Sequence, residues 1–220
     1  MEEKQEYKII SYNVMSSKQL AGLLAILDIE NPDLVLIQEL VLDTEHLSIF
    51  ISGHRDYLAA ANVDGLEPEK PGVGMVWKKD LPITQVTSLE PRRMQSAFIG
   101  PYPVINVYPP AGTDNAPARR DFFGNQLFRS IRGLGKQLPI IGGDFNCVLS
   151  RVDIEGGHFG NKKSNELQDI VREFNLQDSF RYLYIWTQVK FLLYVLSYNQ
   201  FLLLLPLKAQ VLMNQVSKET

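Results

Sequence analysis

The stretch LPIIGGDFNCVLS, residues 138 to 150, is the most informative part of the sequence for the fold. It begins as a short apolar run, continues into two glycines, and then presents Asp144 and Asn146 where the chain is expected to turn. The pattern predicts a buried strand that carries an acid and an amide at its end. Taken alone, Gly, Asp and Asn also suit a hairpin turn, so this stretch does not by itself establish a site.

The composition predicts one domain of ordinary size in an intracellular setting. The chain has 220 residues, of which 45% are hydrophobic and 21% charged, and a formal net charge of -3. With no overall positive field, a polyanionic partner has to be met by local basic clusters or by metal ions. Cys147 is the single cysteine and the first ten residues are charged rather than apolar, which favours a reducing, intracellular setting.

Hydrophobic periodicity predicts strands that alternate with amphipathic helices in the N-terminal part and a β-rich middle. The sum is a mixed α/β fold with a largely antiparallel sheet component. The predicted elements are a strand over 7–15, a helix that ends at Asn31-Pro32, a strand over 33–40, a helix over 44–51 capped by Asp43 or Thr44, an antiparallel meander over 72–108, a helix over 119–134, the quoted strand, and a helix over 164–174.

Four of the apolar runs end in polar residues. If these runs are neighbours in sheets, their ends gather at one edge, which is where open α/β folds commonly place their sites. Each residue alone also has an ordinary structural explanation, such as a turn, a cap, a strand-end surface position or a core tyrosine. The strand-end residues are Asn13; Gln38 and Glu39; Asn106 and Tyr108; and Asp144 and Asn146.

Together these side chains offer two carboxylates, several amides and a phenol. Oxygen-only ligands with few His or Cys suit a hard divalent cation, here Mg²⁺ with Mn²⁺ as the alternative. Amide and phenol groups can hydrogen-bond a phosphate without adding negative charge. The set therefore favours metal-assisted phosphodiester hydrolysis as the reaction class.

The motifs SYNVMS (11–16), IQEL (37–40), NVYPP (106–110) and IIGGDFN (140–146), in this order, resemble the endonuclease/exonuclease/phosphatase superfamily that includes DNase I and exonuclease III. The last motif, its spacing and the segment SNELQDIVREFNLQDSFR (164–181) are most similar to the apurinic-type endonuclease domain of non-LTR (LINE-like) retrotransposons. The resemblance covers the chain from Lys8 to Arg181.

The resemblance implies a four-layer α/β sandwich of the DNase I-like type, with two mainly antiparallel sheets and a divalent metal at one edge. It implies that Glu39 is the metal-binding carboxylate and that Asn13, the amide beside it, is also at the metal. It also implies that Asp144 handles the attacking water or the leaving oxygen, and that Asn146 and Tyr108 hold the scissile phosphate.

The sequence departs from the family pattern after Arg181. A Ser-Arg-x-Asp strand and a Ser-Asp-His motif are expected there, and neither occurs in residues 182–220. None of the histidines, His46, His54 and His158, follows an aspartate. We therefore expect a domain over residues 1–182 that is C-terminally truncated, followed over 183–220 by an atypical apolar tail outside the family fold.

The tail contains seventeen uncharged residues, 191–207, between Lys190 and Lys208. A membrane anchor, a core strand and helix, and an aberrant tail all remain open for this segment. The run is at the lower limit for a membrane span and is interrupted by polar residues and a proline, so a membrane association is not expected.

The leading hypothesis is a Mg²⁺-dependent, DNA-nicking endonuclease of the retrotransposon type, impaired by loss of the Asp-His motif. One alternative is an inactive remnant that binds metal or nucleic acid, and another is a phosphoesterase for a different substrate such as a phosphoinositide. We expect a monomer with no obligate protein partner, nuclear if it acts as a retrotransposon endonuclease. The basic pairs Arg92-Arg93, Arg119-Arg120 and Lys162-Lys163 are candidate phosphate contacts, although such pairs are usually just solvated.

Overall fold

The computed structural model describes residues 7–16, 18–67, 69–137, 139–149, 163–178 and 201–206, the last of these as backbone only. Its strands and helices follow one another in a mixed α/β order. The strands are β1 (Ile9–Asn13), β2 (Leu34–Leu40), β3 (Tyr57–Asn62), β4 (Gly72–Lys78), β5 (Ile83–Glu90), β6 (Met94–Ile99), β7 (Tyr102–Val107), β8 (Ile140–Asp144), β9 (Leu176–Asp178) and β10 (Phe201–Pro206). The helices are α1 (Leu20–Glu30), α2 (Thr44–Phe50), α3 (Ala116–Asp121), a π-helical segment (Phe122–Leu127), α4 (Phe128–Gly133) and α5 (Asn165–Glu173).

The strands form two sheets. The first has the order β1-β2-β4-β3 and the second the order β5-β6-β7-β8-β10-β9. The pairs β1/β2 and β7/β8 are parallel, and the remaining pairs are antiparallel. The expected fold class, a mixed α/β sandwich with two mainly antiparallel sheets, is confirmed.

Three apolar clusters define four layers. One cluster lies between the sheets and contains Leu36 of β2, Met75 of β4 and Val104 of β7. A second packs α1 and α2 against the outer face of the first sheet, and a third packs the 116–133 helical stretch and α5 against the second sheet. β2 is buried on both faces, which explains why its sequence is an almost unbroken apolar run.

Local signals in the sequence placed several helix ends correctly. The Asp43 side chain caps α2 by accepting the His46 backbone N–H, and the Ser164 hydroxyl caps α5 by accepting the Leu167 N–H. α1 ends before Asn31, which adopts a left-handed conformation, and Pro32 follows it. Each of these ends agrees with the predicted boundary to within one residue.

The middle of the chain differs from the prediction in three respects. β3 was not predicted, and β4 belongs to the first sheet rather than to one continuous meander with β5, β6 and β7. The predicted helix over 119–134 is interrupted by the π-helical segment, which buries Phe122, Phe123 and Leu127. One extra residue per turn lets these side chains face the same cluster in the core.

Residues 201–206 form β10, which pairs with β8 on one side and β9 on the other. The rest of the 183–220 segment lies outside the described residues, so its assignment as a tail outside the family fold stays a prediction. Within the part of the chain that the structure describes, the helices are too short or too polar to cross a membrane.

A pair of buried amides joins the two sheets. Gln38 of β2 and Asn106 of β7 are both fully buried, and Gln38 Nε2 donates to Asn106 Oδ1 at 2.8 Å. Asn106 Nδ2 in turn donates to the Ile37 carbonyl at 2.9 Å and the Gly74 carbonyl at 2.8 Å. Ser11 Oγ bonds Gln38 Oε1 at 3.2 Å, so the side-chain oxygens of both amides are paired. This amide bridge fixes the register between β2 and β4 of one sheet and β7 of the other.

We predict that the amide bridge acts as one unit in stability. Asn106→Leu keeps the side-chain shape but removes one of the two acceptors of Gln38 Nε2, which keeps the Leu36 carbonyl, and the side-chain donor to the Ile37 and Gly74 carbonyls. The free energy of unfolding should therefore fall by about 2–3 kcal/mol. Gln38→Met should cost a similar amount. The double variant should lose clearly less than the sum of the single losses, because fewer polar groups are left unpaired. Urea unfolding of the four proteins measures this, and strictly additive losses would contradict the bridge.

Candidate functional site

The candidate site lies where the ends of four strands meet. Asn13 ends β1, Glu39 is near the end of β2, Tyr108 directly follows β7, and Asp144 ends β8. Because β1/β2 and β7/β8 are parallel pairs in register, each pair ends at a common edge. The Asn13 side chain spans the gap between the sheets: its Nδ2 donates to Glu39 Oε1 at 3.0 Å and to Asp144 Oδ2 at 3.1 Å.

The orientation of the Asn13 amide follows from a third contact. Its Oδ1 accepts the Met15 backbone N–H at 2.8 Å, which leaves Nδ2 as the group that faces the carboxylates. Asn13 is 2% exposed, so it has little freedom to exchange these partners for water. In this arrangement a neutral donor holds two negatively charged groups in fixed positions.

The backbone is irregular at Glu39. This residue has a φ of +56°, and the β2/β4 register shifts between Gln38 and Leu40. A bulge of this kind redirects one side chain out of the regular alternation of a strand. Gln38 and Leu40 are both buried, while Glu39 between them is partly exposed at the edge. The irregularity thus turns the carboxylate away from the core and into the site.

The end of β8 is shaped by a glycine. Gly143 has a φ of +147°, and a Cβ atom there would lie 2.0 Å from the Val107 carbonyl oxygen, so only glycine allows β8 to approach β7 this closely. The chain then turns at Asn146, which has a φ of +48° and donates its backbone N–H to Asp144 Oδ1 at 3.0 Å. Asn146 Nδ2 donates to the Pro109 carbonyl at 3.0 Å.

The two acids and the tyrosine influence each other electrostatically. Burial raises the pKa of Asp144, and the negative charge of Glu39 raises it further, while the hydrogen bonds from Asn146 and Asn13 act in the opposite direction. Burial also raises the pKa of Tyr108, and the Glu39 charge and a hydrogen bond to Glu39 add to this effect. The Tyr108 hydroxyl therefore remains protonated at neutral pH, with its one hydrogen directed to Glu39.

Arg93 is part of the site and was not among the predicted site residues. Its guanidinium lies 5.2 Å from the centre of the Tyr108 ring, and its Nη1 donates to the Tyr108 carbonyl at 3.3 Å. The Tyr108 N–H donates back to the Arg93 carbonyl at 2.8 Å. The only signal in the sequence was the basic pair Arg92-Arg93, which also fits an ordinary solvated surface.

The histidines described in the structure do not join this site. The rings of His46 and His54 bond Asp43 and Asp28, respectively, and neither of these acids is a site residue. His158 lies outside the described residues. Within the described ranges, no three His, Cys, Asp or Glu side chains are grouped as a metal cluster, so the available protein carboxylates are Glu39 and Asp144.

The structure thus brings the five predicted residues to one edge. Asn13 contacts both Glu39 and Asp144, the Tyr108 hydroxyl is hydrogen-bonded to Glu39, and Asn146 is joined to Asp144 through its backbone. Their separate roles in binding and catalysis stay predictions.

Several solved structures are similar to this chain. An AP endonuclease from Leishmania major, named LMAP, has a TM-score of 0.71 at 17% identity, over 92% of this chain and 79% of its own. A 3' phosphatase from Neisseria, bound to a product DNA hairpin, has a TM-score of 0.68 at 20% identity, over 92% and 88%. An AP endonuclease from Archaeoglobus fulgidus has a TM-score of 0.66 at 15% identity, over 90% and 86%. At these identities the similarity establishes the fold.

No curated protein sequence gives a significant match. The family model described as the Endonuclease/Exonuclease/phosphatase family matches residues 10–188, which is most of the chain and includes all five site residues. Family members are nucleases and phosphatases, enzymes that hydrolyse phosphoester bonds. With its fold, its site and this match in agreement, the chain belongs to the Endonuclease/Exonuclease/phosphatase family.

Proposed function

We propose that this chain is a Mg²⁺-dependent phosphodiesterase domain that nicks DNA, of the type found in non-LTR retrotransposons. The observation that carries the proposal is the contact of Asn13 Nδ2 with two carboxylates from different sheets, Glu39 and Asp144. Nothing in the packing of the core requires two acids to face one another, and their mutual repulsion costs stability. A divalent cation would relieve this repulsion.

The donor set fits Mg²⁺. Glu39 offers a partly exposed carboxylate, and burial together with the Glu39 charge raises the pKa of Asp144, a shift that a bound cation would oppose. Direct ligation by the Asn13 oxygen would require the amide to rotate and to give up its bond to the Met15 N–H. As folded, Asn13 orients the Glu39 carboxylate, which would hold the ion. When bound, Mg²⁺ would neutralise charge on the phosphate and stabilise the leaving oxygen.

Other side chains of the site would act as the base and as hydrogen-bond donors to the phosphate. Asp144 would accept the proton of the attacking water, and its raised pKa makes it a better base than an exposed aspartate. The second Nδ2 hydrogen of Asn146 would donate to a phosphate oxygen, since the first is bound to the Pro109 carbonyl. The protonated Tyr108 hydroxyl would do the same once its one hydrogen turns from Glu39 to the phosphate. Arg93, stacked on Tyr108, would add positive charge on the same side.

DNA is the substrate favoured by two observations. The helix and segment after GDFN resemble those of retrotransposon endonucleases, and one structurally similar protein, the Neisseria phosphatase, is bound to a DNA hairpin. The phosphoinositide alternative has no comparable support from the residues.

We further propose that cleavage by the 220-residue chain is weak. The sequence contains no Asp-His pair, and His46 and His54 are bonded to acids outside the site. A positioned acid or base typically contributes about 10²- to 10⁴-fold in rate. The same observation favours the second candidate function, a remnant that binds metal or DNA without turnover.

We predict that nicking of supercoiled plasmid by the 220-residue protein requires Mg²⁺ or Mn²⁺ and is abolished by EDTA. Glu39→Ala and Asp144→Ala should each lower the rate by about 10²-fold or more, because the first removes the carboxylate that would hold the ion and the second removes the base for the attacking water. Glu173→Ala, an exposed acid on α5, is the matched control and should nick like the unsubstituted protein. Metal-independent nicking, or equal rates in all variants, would contradict the proposed function.

We predict that Mg²⁺ lowers the pKa of Asp144 whether or not the protein cleaves DNA. In metal-free protein this pKa should lie above 3.8, because burial and the Glu39 charge disfavour the ionised form. Glu39→Gln should lower it by removing the like charge, and Mg²⁺ should lower it by favouring the carboxylate. The measurement is a ¹³C NMR titration of the Asp144 carboxyl carbon.

The two experiments together separate the candidate functions. A Mg²⁺-sensitive Asp144 without nicking identifies the metal-binding remnant. An Asp144 pKa that changes neither on addition of Mg²⁺ nor in Glu39→Gln would contradict the metal site.

A further inference from the structure

The segment that follows β7, residues 108–112, is held almost entirely by side chains. We call it the tyrosine loop. Pro109 and Pro110 have no N–H, so the loop cannot continue the β7 hydrogen-bond ladder. Each of its five carbonyls accepts a side-chain donor instead: Tyr108 from Arg93 at 3.3 Å, Pro109 from Asn146 at 3.0 Å, Pro110 and Gly112 from Arg119 at 2.8 and 3.0 Å, and Ala111 from Asn115 at 2.7 Å.

Arg119 differs from the other donors because it is buried. It lies on α3, is 6% exposed, and its Nη1 is shared between two carbonyls of the tyrosine loop. Among the described residues it forms no ion pair with a carboxylate. Its neighbour Arg120 is exposed. A buried guanidinium without a counter-charge is costly unless its donors are well satisfied, so the loop carbonyls have to stay in place around it.

The position of Arg119 connects the two phosphate-side residues of the site. The tyrosine loop begins at Tyr108, and its Pro109 carbonyl accepts Asn146 Nδ2. The positive charge of Arg119 also acts on Cys147, the residue next to Asn146, where it partly offsets the effect of burial on the thiol pKa. Arg119 therefore lies close to both the tyrosine loop and the turn after β8. A shift of the loop would displace Tyr108 and Asn146 together.

We propose that Arg119 is a positioning residue that holds Tyr108 and Asn146 in their phosphate-binding geometry through the Pro110 and Gly112 carbonyls. The inference rests on the proposed function, since it concerns how that site is kept in register. Arg119 then supports the site from within the protein. Its place in the basic pair Arg119-Arg120 had instead indicated a contact with the DNA backbone.

The first test does not require activity. In ¹³C- and ¹⁵N-labelled protein, the Tyr108 ring and the Asn146 side-chain amide are assigned from Tyr108→Phe and Asn146→Ala. Arg119→Met, which removes every donor at similar length, should shift both sets of resonances, and Arg119→Lys, which keeps the charge and fewer donors, should shift them less. Arg120→Met is the matched control and should leave them unchanged. Wild-type resonances in a folded Arg119→Met protein would overturn the proposal.

The second test uses cleavage. Arg119→Met should lower kcat by about 10²-fold with a small change in KM, because the reacting groups are misplaced while most substrate contacts remain. In an Asn146→Ala background the same change should cost much less, since one of the groups it positions is gone. An equal cost in both backgrounds would overturn the proposal.

The two tests fail in distinguishable ways. If the unsubstituted chain does not cleave DNA, the proposed function fails and the resonances still decide the role of Arg119. If Arg119→Met does not fold, Arg119→Gln replaces it, since the shorter neutral amide cannot reproduce the bonds of Arg119 to the Pro110 and Gly112 carbonyls. Unshifted Tyr108 and Asn146 resonances in Arg119→Gln would exclude the positioning role.

Discussion

The buried amide bridge between Gln38 and Asn106 is the interaction on which the site geometry depends. The chemistry is divided between two sheets: Asn13 and Glu39 belong to the first, Tyr108 and Asp144 to the second. Hydrogen bonds tolerate only a few tenths of an ångström before they weaken, so a slip between the sheets would release Asn13 from one of its carboxylates. Apolar contacts hold sheets together but are not directional, whereas paired amides accept only one register. The bridge lies directly behind Glu39 and two residues before Tyr108, where that register is needed.

The same edge contains the strained backbone positions of the site. Glu39 and Asn146 both adopt positive φ values, and Gly143 is required for the approach of β8 to β7. Left-handed non-glycine residues cost of order 1–3 kcal/mol each. Domains of this kind are stable by only about 5–15 kcal/mol in total, so these costs matter and must be offset by the core. In a regular strand, successive side chains point to opposite faces of the sheet. The irregular backbone at Glu39 and Asn146 lets the carboxylate and the amide leave this alternation at the site.

The sequence predicted much of the fold and most of the site because both depend on local patterns. Strand ends, helix caps and the burial of β2 follow from periodicity and from single residues such as Asp43 and Pro32. β3 was missed because its sequence YLAAAN is rich in alanine, which is uncommon in strands. The π-helical segment was missed because an apolar spacing of three to four residues fits it as well as a regular helix.

Contacts between residues distant in the chain were beyond prediction from the sequence. Gln38 and Asn106 are 68 positions apart, and nothing local distinguishes them from amides exposed at a strand end. Arg93 and Arg119 look like surface bases in a charged sequence. Their surroundings, an aromatic ring in one case and a row of carbonyls in the other, exist only after the tyrosine loop has folded.

The hydrogen bonds of the two arginines near the site support the proposed metal site more strongly than the two acids alone do. Arg93 and Arg119 both lie near the site, yet in the described part of the chain each donates to backbone carbonyls and neither forms an ion pair with Glu39 or Asp144. The carboxylates are oriented by neutral donors, the Asn13 amide and the Asn146 N–H. An arginine paired with Glu39 would have fixed the same geometry at lower electrostatic cost, but it would have neutralised the charge that attracts a divalent cation. Orientation by amides keeps the acids in place and leaves their negative charge available, as the proposed Mg²⁺ site requires.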